Sequence, residues 1–301
     1  MSPGRAYLAT LIGALGISTA PILFSLADVH PTTGAVWRFL YALPVLLLLC
    51  LWRGRGALRE RAWLPFAALS GVFFAADMAL WHHSVVLIGA GPGTLLVNTQ
   101  VLWVALFGLC FLREHPSRAF WLALPVAFAG AFLLAGGGLG GIPGADNRMG
   151  LLAAAIASLC YAGVLITLRQ SQRASSVAPE LTLAVQVCVA LALLAGVGFA
   201  EGSLPVSLAR WQHGWLALLG VGVQALSWIL ITTGLRELPG HHGALILVAQ
   251  PVGSLLLGWA ILDQSLSPPR VAGAALIVAA ILLAVLSEPR SSTVRANGEA
   301  A

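Results

Sequence analysis

Ten apolar stretches, each about as long as a bilayer core is thick, follow one another through the chain with little between them. They cover residues 6–27, 34–52, 62–84, 90–112, 119–138, 149–169, 180–200, 213–235, 243–263 and 270–287. A helix needs roughly 20 mostly apolar residues to cross a membrane. Such a segment must satisfy its own backbone hydrogen bonds, because hydrocarbon offers none. The composition agrees: 59% of the 301 residues are hydrophobic and 9% are charged, where a soluble domain carries about 25% charged residues. Mean hydropathy is +0.91. The sequence predicts an all-α integral membrane protein of ten transmembrane helices, spans 1 to 10, with lipid as its solvent.

The formal charge of +5 comes from 16 Arg and no Lys. Its distribution excludes nucleic acid as the partner. Arg53, Arg55, Arg59 and Arg61 follow span 2, Arg113 and Arg118 follow span 4, and Arg169 and Arg173 close span 6. Arg236 follows span 8, and Arg290 and Arg295 lie in the tail. With Arg5 they fall on one side; only Arg38, Arg148, Arg210 and Arg270 fall towards the other. Positive loops stay cytoplasmic, so both termini are expected there, in a bacterial inner membrane. Span 1 resembles a signal peptide in Arg5 and "SLADVH". Removing it would break both topology and repeat, so it reads as a retained span. Cys50, Cys110, Cys160 and Cys188 show no CxxC spacing and read as small buried thiols.

The chain echoes itself across a Gly-rich break, "GGGLGGIPGADN", at residues 136–147. "QVLWVALFGLCFLREHPS" aligns with "QPVGSLLLGWAILDQSLS", which sets Gln100 on Gln250, Gly108 on Gly258 and Ser117 on Ser267. Upstream, Gly71 falls on Gly220, one residue out of step. Five spans per half make the halves insert in opposite senses, the inverted-topology repeat characteristic of transporters. The expected division is residues 1–143, residues 144–288 and a disordered cytoplasmic tail at 289–301.

Four stretches carry a family resemblance: "VHPTTGAVWRFLYALPVLLLL", "ADMALWHHSV", "GTLLVNTQVLWVALFGLCFLRE" and "VAGAALIVAAILLAVL". The chain resembles the EamA-type transporters of the drug/metabolite transporter superfamily over nearly its whole length. The most specific marks are Arg38, the run Asp77, Trp81, His82 and Ser84, and Glu114 at the close of span 4. The resemblance implies two inverted five-helix halves around a central cavity lined mainly by spans 3, 4, 8 and 9. It also implies export or exchange of small metabolites, often amino acids or related compounds. Two departures stand out. Val101 replaces a Pro common at mid-span 4, while the repeat mate keeps Pro251, which predicts a straighter span 4. The mate of Glu114 is Gln264, with Asp263 beside it.

The buried polar residues raise the chemical questions. An ionised carboxylate at a helix centre costs roughly 2.5–3.5 kcal/mol to insert, so Asp77 needs a partner or water. Arg38 lies at nearly the same depth, and the expectation is an intramembrane ion pair tying span 2 to span 3; a coupling role for Asp77 is the rival reading. His82 and His83 point about 100° apart on a helix and cannot chelate one metal unaided. His241 and His242 lie a membrane away. No metal site is expected; interfacial hydrogen bonding is, with a cavity role open for His82 and Trp81.

Gln100 and Trp103 share a face of span 4, Gln224, Ser227 and Trp228 share a face of span 8, and Gln250 and Tyr161 lie mid-span. Amides and aromatic rings suit an amphipathic organic solute; the plain alternative for each Gln is a helix–helix hydrogen bond. Glu114 reads as a helix-end ion pair with Arg113 or Arg118, or as a cytoplasmic gate element. Walker, GxSxG and HExxH motifs are absent from the sequence. The expected function is alternating-access transport of a small-molecule substrate, with no cofactor, and with a proton or counter-substrate as coupling candidates. A membrane-embedded enzyme and a non-transporting receptor or assembly factor remain the rivals.

Overall fold

The computed structural model describes residues 1–53, 61–88, 90–134, 145–204, 207–262 and 266–286. Arg55, Arg59, Asp263, Gln264, the linker at 136–144 and the tail with Arg290 and Arg295 lie outside the described residues. Among the described residues there is no strand. The first half holds α1 (Pro3–Ile17), α2 (Ala20–Ala27), α3 (Pro31–Arg53), α4 (Leu64–Ile88), α5 (Ala90–Val97), α6 (Gln100–Phe111) and α7 (Arg118–Leu134). The second holds α8 (Ala145–Ala174), α9 (Pro179–Ala200), α10 (Arg210–Leu218), a π-helical segment (Leu219–Ser227), α11 (Trp228–Glu237), α12 (Gly240–Leu247), α13 (Gln250–Leu262) and α14 (Pro268–Leu286). Pro3, Pro31, Pro179 and Pro268 each open a helix, where the missing N–H would have had no partner anyway.

Eight stretches among the described residues are long and apolar enough to cross a membrane. Two more apolar helices, Leu95–Phe111 and Arg118–Leu133, are shorter. The chain is a multi-pass membrane protein.

Among the described residues three spans are interrupted. Span 1 breaks at Ser18 and Thr19, between α1 and α2. Pro21 cannot donate to the carbonyl of Ile17, while Thr19 Oγ1 donates to Gly16 O at 2.7 Å. Span 9 breaks at Val248 and Ala249, two residues ahead of Pro251. Span 4 breaks at Asn98 and Thr99, the repeat mates of Val248 and Ala249, without any proline. The expected straighter span 4 is therefore corrected. Thr99 Oγ1 donates to Leu96 O at 2.6 Å and lies 2.7 Å from Ser158 Oγ on α8. A side-chain hydroxyl competes for the backbone carbonyl where the mate lacks an N–H.

Span 8 is continuous but changes pitch. From Leu219 to Ser227 its backbone is π-helical, with bonds from i to i+5, and Ser227 Oγ donates to Gly222 O at 2.9 Å. There it lies against α3: a Cβ on Gly220 would sit 2.6 Å from Arg38 O.

The main packing pairs are α4 with α8 and α9, α3 with α9 and the π segment, α1 with α11, and α7 with α14. Hydrogen bonds and ion pairs mark the two ends of the helix bundle. On one, the amino terminus lies 3.7 Å from Glu237, and Arg173 Nε donates to Arg236 O at 3.2 Å. On the other, Thr32 donates to Glu201 and Gln212 donates to the carbonyls of Ala27 and Asp28. Cys110 and Cys188 are exposed, which corrects their reading as buried thiols; the helices turn them outward.

Candidate functional site

Between these faces, the core helices bring together several of the polar residues singled out above. Asp77 on α4 is 2% exposed, and its Oδ1 has no hydrogen-bond partner. Arg38 on α3 keeps its Nε buried and unpartnered. The two charges act on one another electrostatically, yet no nitrogen–oxygen pair between them comes within the 4.0 Å of an ion pair. The expected Arg38–Asp77 salt bridge is thus not closed. The reason lies in the packing: α3 runs mainly against α9 and the π segment instead of along α4.

A line of rings passes beside Arg38 and Asp77. Phe39 meets Phe74 edge-on at 5.3 Å, Phe74 meets Trp228 at 5.2 Å, and Trp228 meets Tyr161 edge-on at 6.3 Å. Gln250, the first residue of α13, donates to Tyr161 OH at 3.2 Å. Gln100, the first residue of α6, donates to Ala244 O on α12 at 3.3 Å, and its Oε1 stays unpartnered. Gln224 in the π segment is fully buried with neither amide atom bonded, and Trp228 Nε1 is buried and unpartnered.

Other members of the sequence-derived set lie elsewhere. Trp103, three residues along α6 from the buried Gln100, is 41% exposed. His82 stacks on Phe24 at 6.0 Å, with Trp81 5.0 Å away. His83 is exposed and donates to Ala79 O at 2.9 Å. Among the described residues no group of three His, Cys, Asp or Glu side chains is placed to hold a metal.

The second cluster lies on the face that carries the amino terminus. α6 ends with Arg113 in the left-handed region at φ 54°, and Glu114 N donates to Gly108 O at 3.0 Å. That turn, costing about 1–2 kcal/mol for a residue with a Cβ, folds Glu114 back under the bundle. Its carboxylate pairs with Arg169 on α8, accepts Gly240 N–H at 3.1 Å and lies 3.6 Å from His241 Nδ1. The expected partners Arg113 and Arg118 are corrected to Arg169, which is 2% exposed. Burial by itself would raise the Glu114 carboxyl. The contact with His241, the charge of Arg169 and the Gly240 N–H outweigh it and hold the group at about 2. Beside it, Tyr7 OH and His242 Nδ1 share a hydrogen bond of 2.6 Å. Sequence reasoning missed Arg169, whose only signal was a cation at the end of a span.

Comparisons with known proteins fit this picture. The profile of the EamA-like transporter family matches residues 4–136 and 148–286. A Bacillus subtilis relative named as the uncharacterised transporter YwfM is 24% identical over 83% of this chain and 83% of its own. The pseudopaline exporter CntI of Pseudomonas aeruginosa is 27% identical over 81% of this chain and 83% of its own. A solved crystal structure matches with a TM-score of 0.79 at 22% identity, over 93% of this chain and 98% of that one, a likeness of fold. Broken apolar spans, buried polar groups at mid-depth and a family match on both sides of the linker lead to one assignment: the chain belongs to the EamA-like transporter family.

Proposed function

We propose that this protein is a secondary transporter that exports or exchanges small organic metabolites, amino acids or related compounds among them. It works across the bacterial inner membrane by alternating access between two inverted five-span halves, residues 1–143 and 144–288, with both termini cytoplasmic. The observation that carries this reading is the paired break of spans 4 and 9 at one register, which sets Gln100 and Gln250 at the heads of half-helices. Inverted-repeat transporters hold their substrates at such discontinuities near the midplane. The relative named as a pseudopaline exporter supports export as the direction. The substrate site is assigned to Gln100, Gln224, Trp228, Gln250 and Tyr161, with Trp81 and His82 towards the outer side. Glu114 and Arg169 act as the cytoplasmic gate: α12, which Glu114 holds by its first N–H, is buried along its whole length.

The test compares Gln100→Ala and Trp228→Ala with the native protein, for melting temperature in detergent and for transport half-saturation in proteoliposomes. Loss of one substrate hydrogen bond should weaken affinity several-fold, about 1 kcal/mol. Lower melting with unchanged half-saturation in both variants would reassign these residues to packing.

A further inference from the structure

At the end of the bundle that carries the amino terminus, Glu114 divides its carboxylate. Oε1 pairs with Arg169 on α8, while Oε2 accepts Gly240 N–H at the head of α12, at 3.1 Å. His241, the next residue of α12, brings Nδ1 to 3.6 Å from that same Oε2, just short of a hydrogen bond. His241 is 2% exposed, and neither of its ring nitrogens is bonded. Buried polar atoms are nearly always bonded, and each exception asks for an explanation. The ring is flanked edge-on by Phe120 at 4.9 Å and by His242 at 4.7 Å. Towards this end, the elements packed against α12 also bring Arg5 and Tyr7 on α1, Arg173 on α8, and Arg236 and Glu237 on α11. Tyr7 bonds His242 at 2.6 Å, Glu237 lies 3.7 Å from the amino terminus, and Arg5 and Arg173 are exposed. The last turns of α14 add no charge among the described residues.

A neutral imidazole carries one donor and one acceptor; a protonated one carries two donors and a charge. A bound water is the rival partner for Nδ1. A cavity of about 10 Å³, lined by Glu114, Arg169, Gly240 and apolar side chains, has room for one. Water would serve the ring equally at any pH, so the two readings part on pH dependence. The same cavity, with the Glu114 side chain 14% exposed, gives a proton its route in from the rim. We propose that His241 is a proton-binding site in the gate: protonated, it closes on Glu114 Oε2 and adds a charge-assisted bond to the backbone N–H that already holds α12. α12 is a half-helix bounded by Pro239 and by the break at Val248 and Ala249, so a hold on its head is a hold on the whole piece. Glu114 stays a carboxylate through the histidine range, because its carboxyl is held at about 2 despite its burial. By linkage, a proton that tightens the closed gate leaves when the gate opens.

This assignment rests on the gate reading of Glu114 above, and the experiment separates the two. Hydrogen exchange of the α12 amides is followed by mass spectrometry on the full-length protein in lipid nanodiscs. It is read at about pH 5.5 and about pH 8, on either side of the usual histidine range. Native protein is compared with His241→Gln at each pH, so the intrinsic pH dependence of exchange cancels. At the acid pH native α12 should exchange about three- to tenfold more slowly than the variant, as for a partly solvated bond to a charged group. At the alkaline pH the two should agree. His242→Gln should keep the native pH dependence, and Glu114→Gln should lose it. His241→Asn replaces His241→Gln if the latter fails to fold, and native protein against Glu114→Gln decides if neither folds. The same native-to-variant ratio at both pH values overturns the proposal. So does a pH dependence that vanishes in His242→Gln instead. In either case faster α12 exchange in Glu114→Gln at both pH values leaves the gate reading standing, and unchanged exchange in that variant removes it as well.

Discussion

Glu114, just past the end of α6, shares its carboxylate between the guanidinium of Arg169 on α8 and the first backbone N–H of α12 at Gly240. One side chain thereby ties spans 4, 6 and 9 together at the face of the amino terminus. Arg169 Nε and Nη1 have no other partner. Glu114→Gln keeps the shape and removes the charge, so it leaves a buried cation uncompensated. Stripping one partner from a buried pair costs about 3–5 kcal/mol; this pair lies at the rim of the bundle, and about 2–4 kcal/mol is expected. Unfolding in detergent measures it, and an unchanged midpoint would show that the pair holds nothing.

The same carboxylate sets a pH dependence. Its contacts with His241, Arg169 and Gly240 lower it from 4.5 to about 2, against the upward push of burial. A carboxyl depressed on folding stabilises the protein above its unfolded value and loses that stabilisation as pH falls towards the folded one. Native melting temperature should therefore drop between pH 4.5 and about 2 more steeply than that of Glu114→Gln. Parallel curves for the two proteins would contradict this.

Spans 5 and 10 meet at Gly130, where an added Cβ would lie 2.6 Å from Gly273 O. Backbone cannot give way as a flexible side chain can, so Gly130→Ala should destabilise by about 1–3 kcal/mol. Gly196 on α9 has nothing within 4 Å of such a Cβ. Gly196→Ala should be neutral or stabilise by up to about 1 kcal/mol, the helix-propensity difference. Equal melting temperatures for the two variants would refute the close contact.

Thr99→Val tests what holds the break in span 4. It removes the hydroxyl from Leu96 O and from Ser158 Oγ while keeping the side-chain volume. A loss of about 1–2 kcal/mol is expected for bonds of this kind. No loss at all would mean the break does not depend on the hydroxyl.

Orientation is open to a direct check. A reporter fused after Leu286, within the tail that carries Arg290, should behave as cytoplasmic. A periplasmic signal there would reverse the topology read from the Arg residues.

Eight of the ten expected spans recur among the described residues as helices long and apolar enough to cross a membrane, because hydropathy is summed over some twenty residues and tolerates local error; the stretches at spans 4 and 5 appear as shorter apolar helices. The pairing of Gln100 with Gln250 was legible too, since both head half-helices. The break at Asn98 and Thr99 was not, because proline was the only breaker sought and here a hydroxyl does that work. Glu114 was assigned to Arg113 and Arg118 by proximity along the chain. A left-handed residue at 113 turned the carboxylate towards a cation on another span, which no spacing rule reports.

The π-helical segment of span 8 bears on the arithmetic of the repeat. Gln100 and Gln250 lie 150 residues apart, while Gly71 and Gly220 lie 149 apart. One residue has therefore been gained in the second half between Gly220 and Gln250, and the segment Leu219–Ser227 lies where that count changes. A turn closed from i to i+5 holds one residue more than an α turn, so a helix can swallow an insertion there without moving its ends. Its counterpart α4 is α-helical throughout Leu64–Ile88. Between these aligned positions the second half is one residue longer than the first. Taken up within the π segment, that residue leaves the helix ends in place but makes the stretch with Gln224 different in pitch from the α-helical α4.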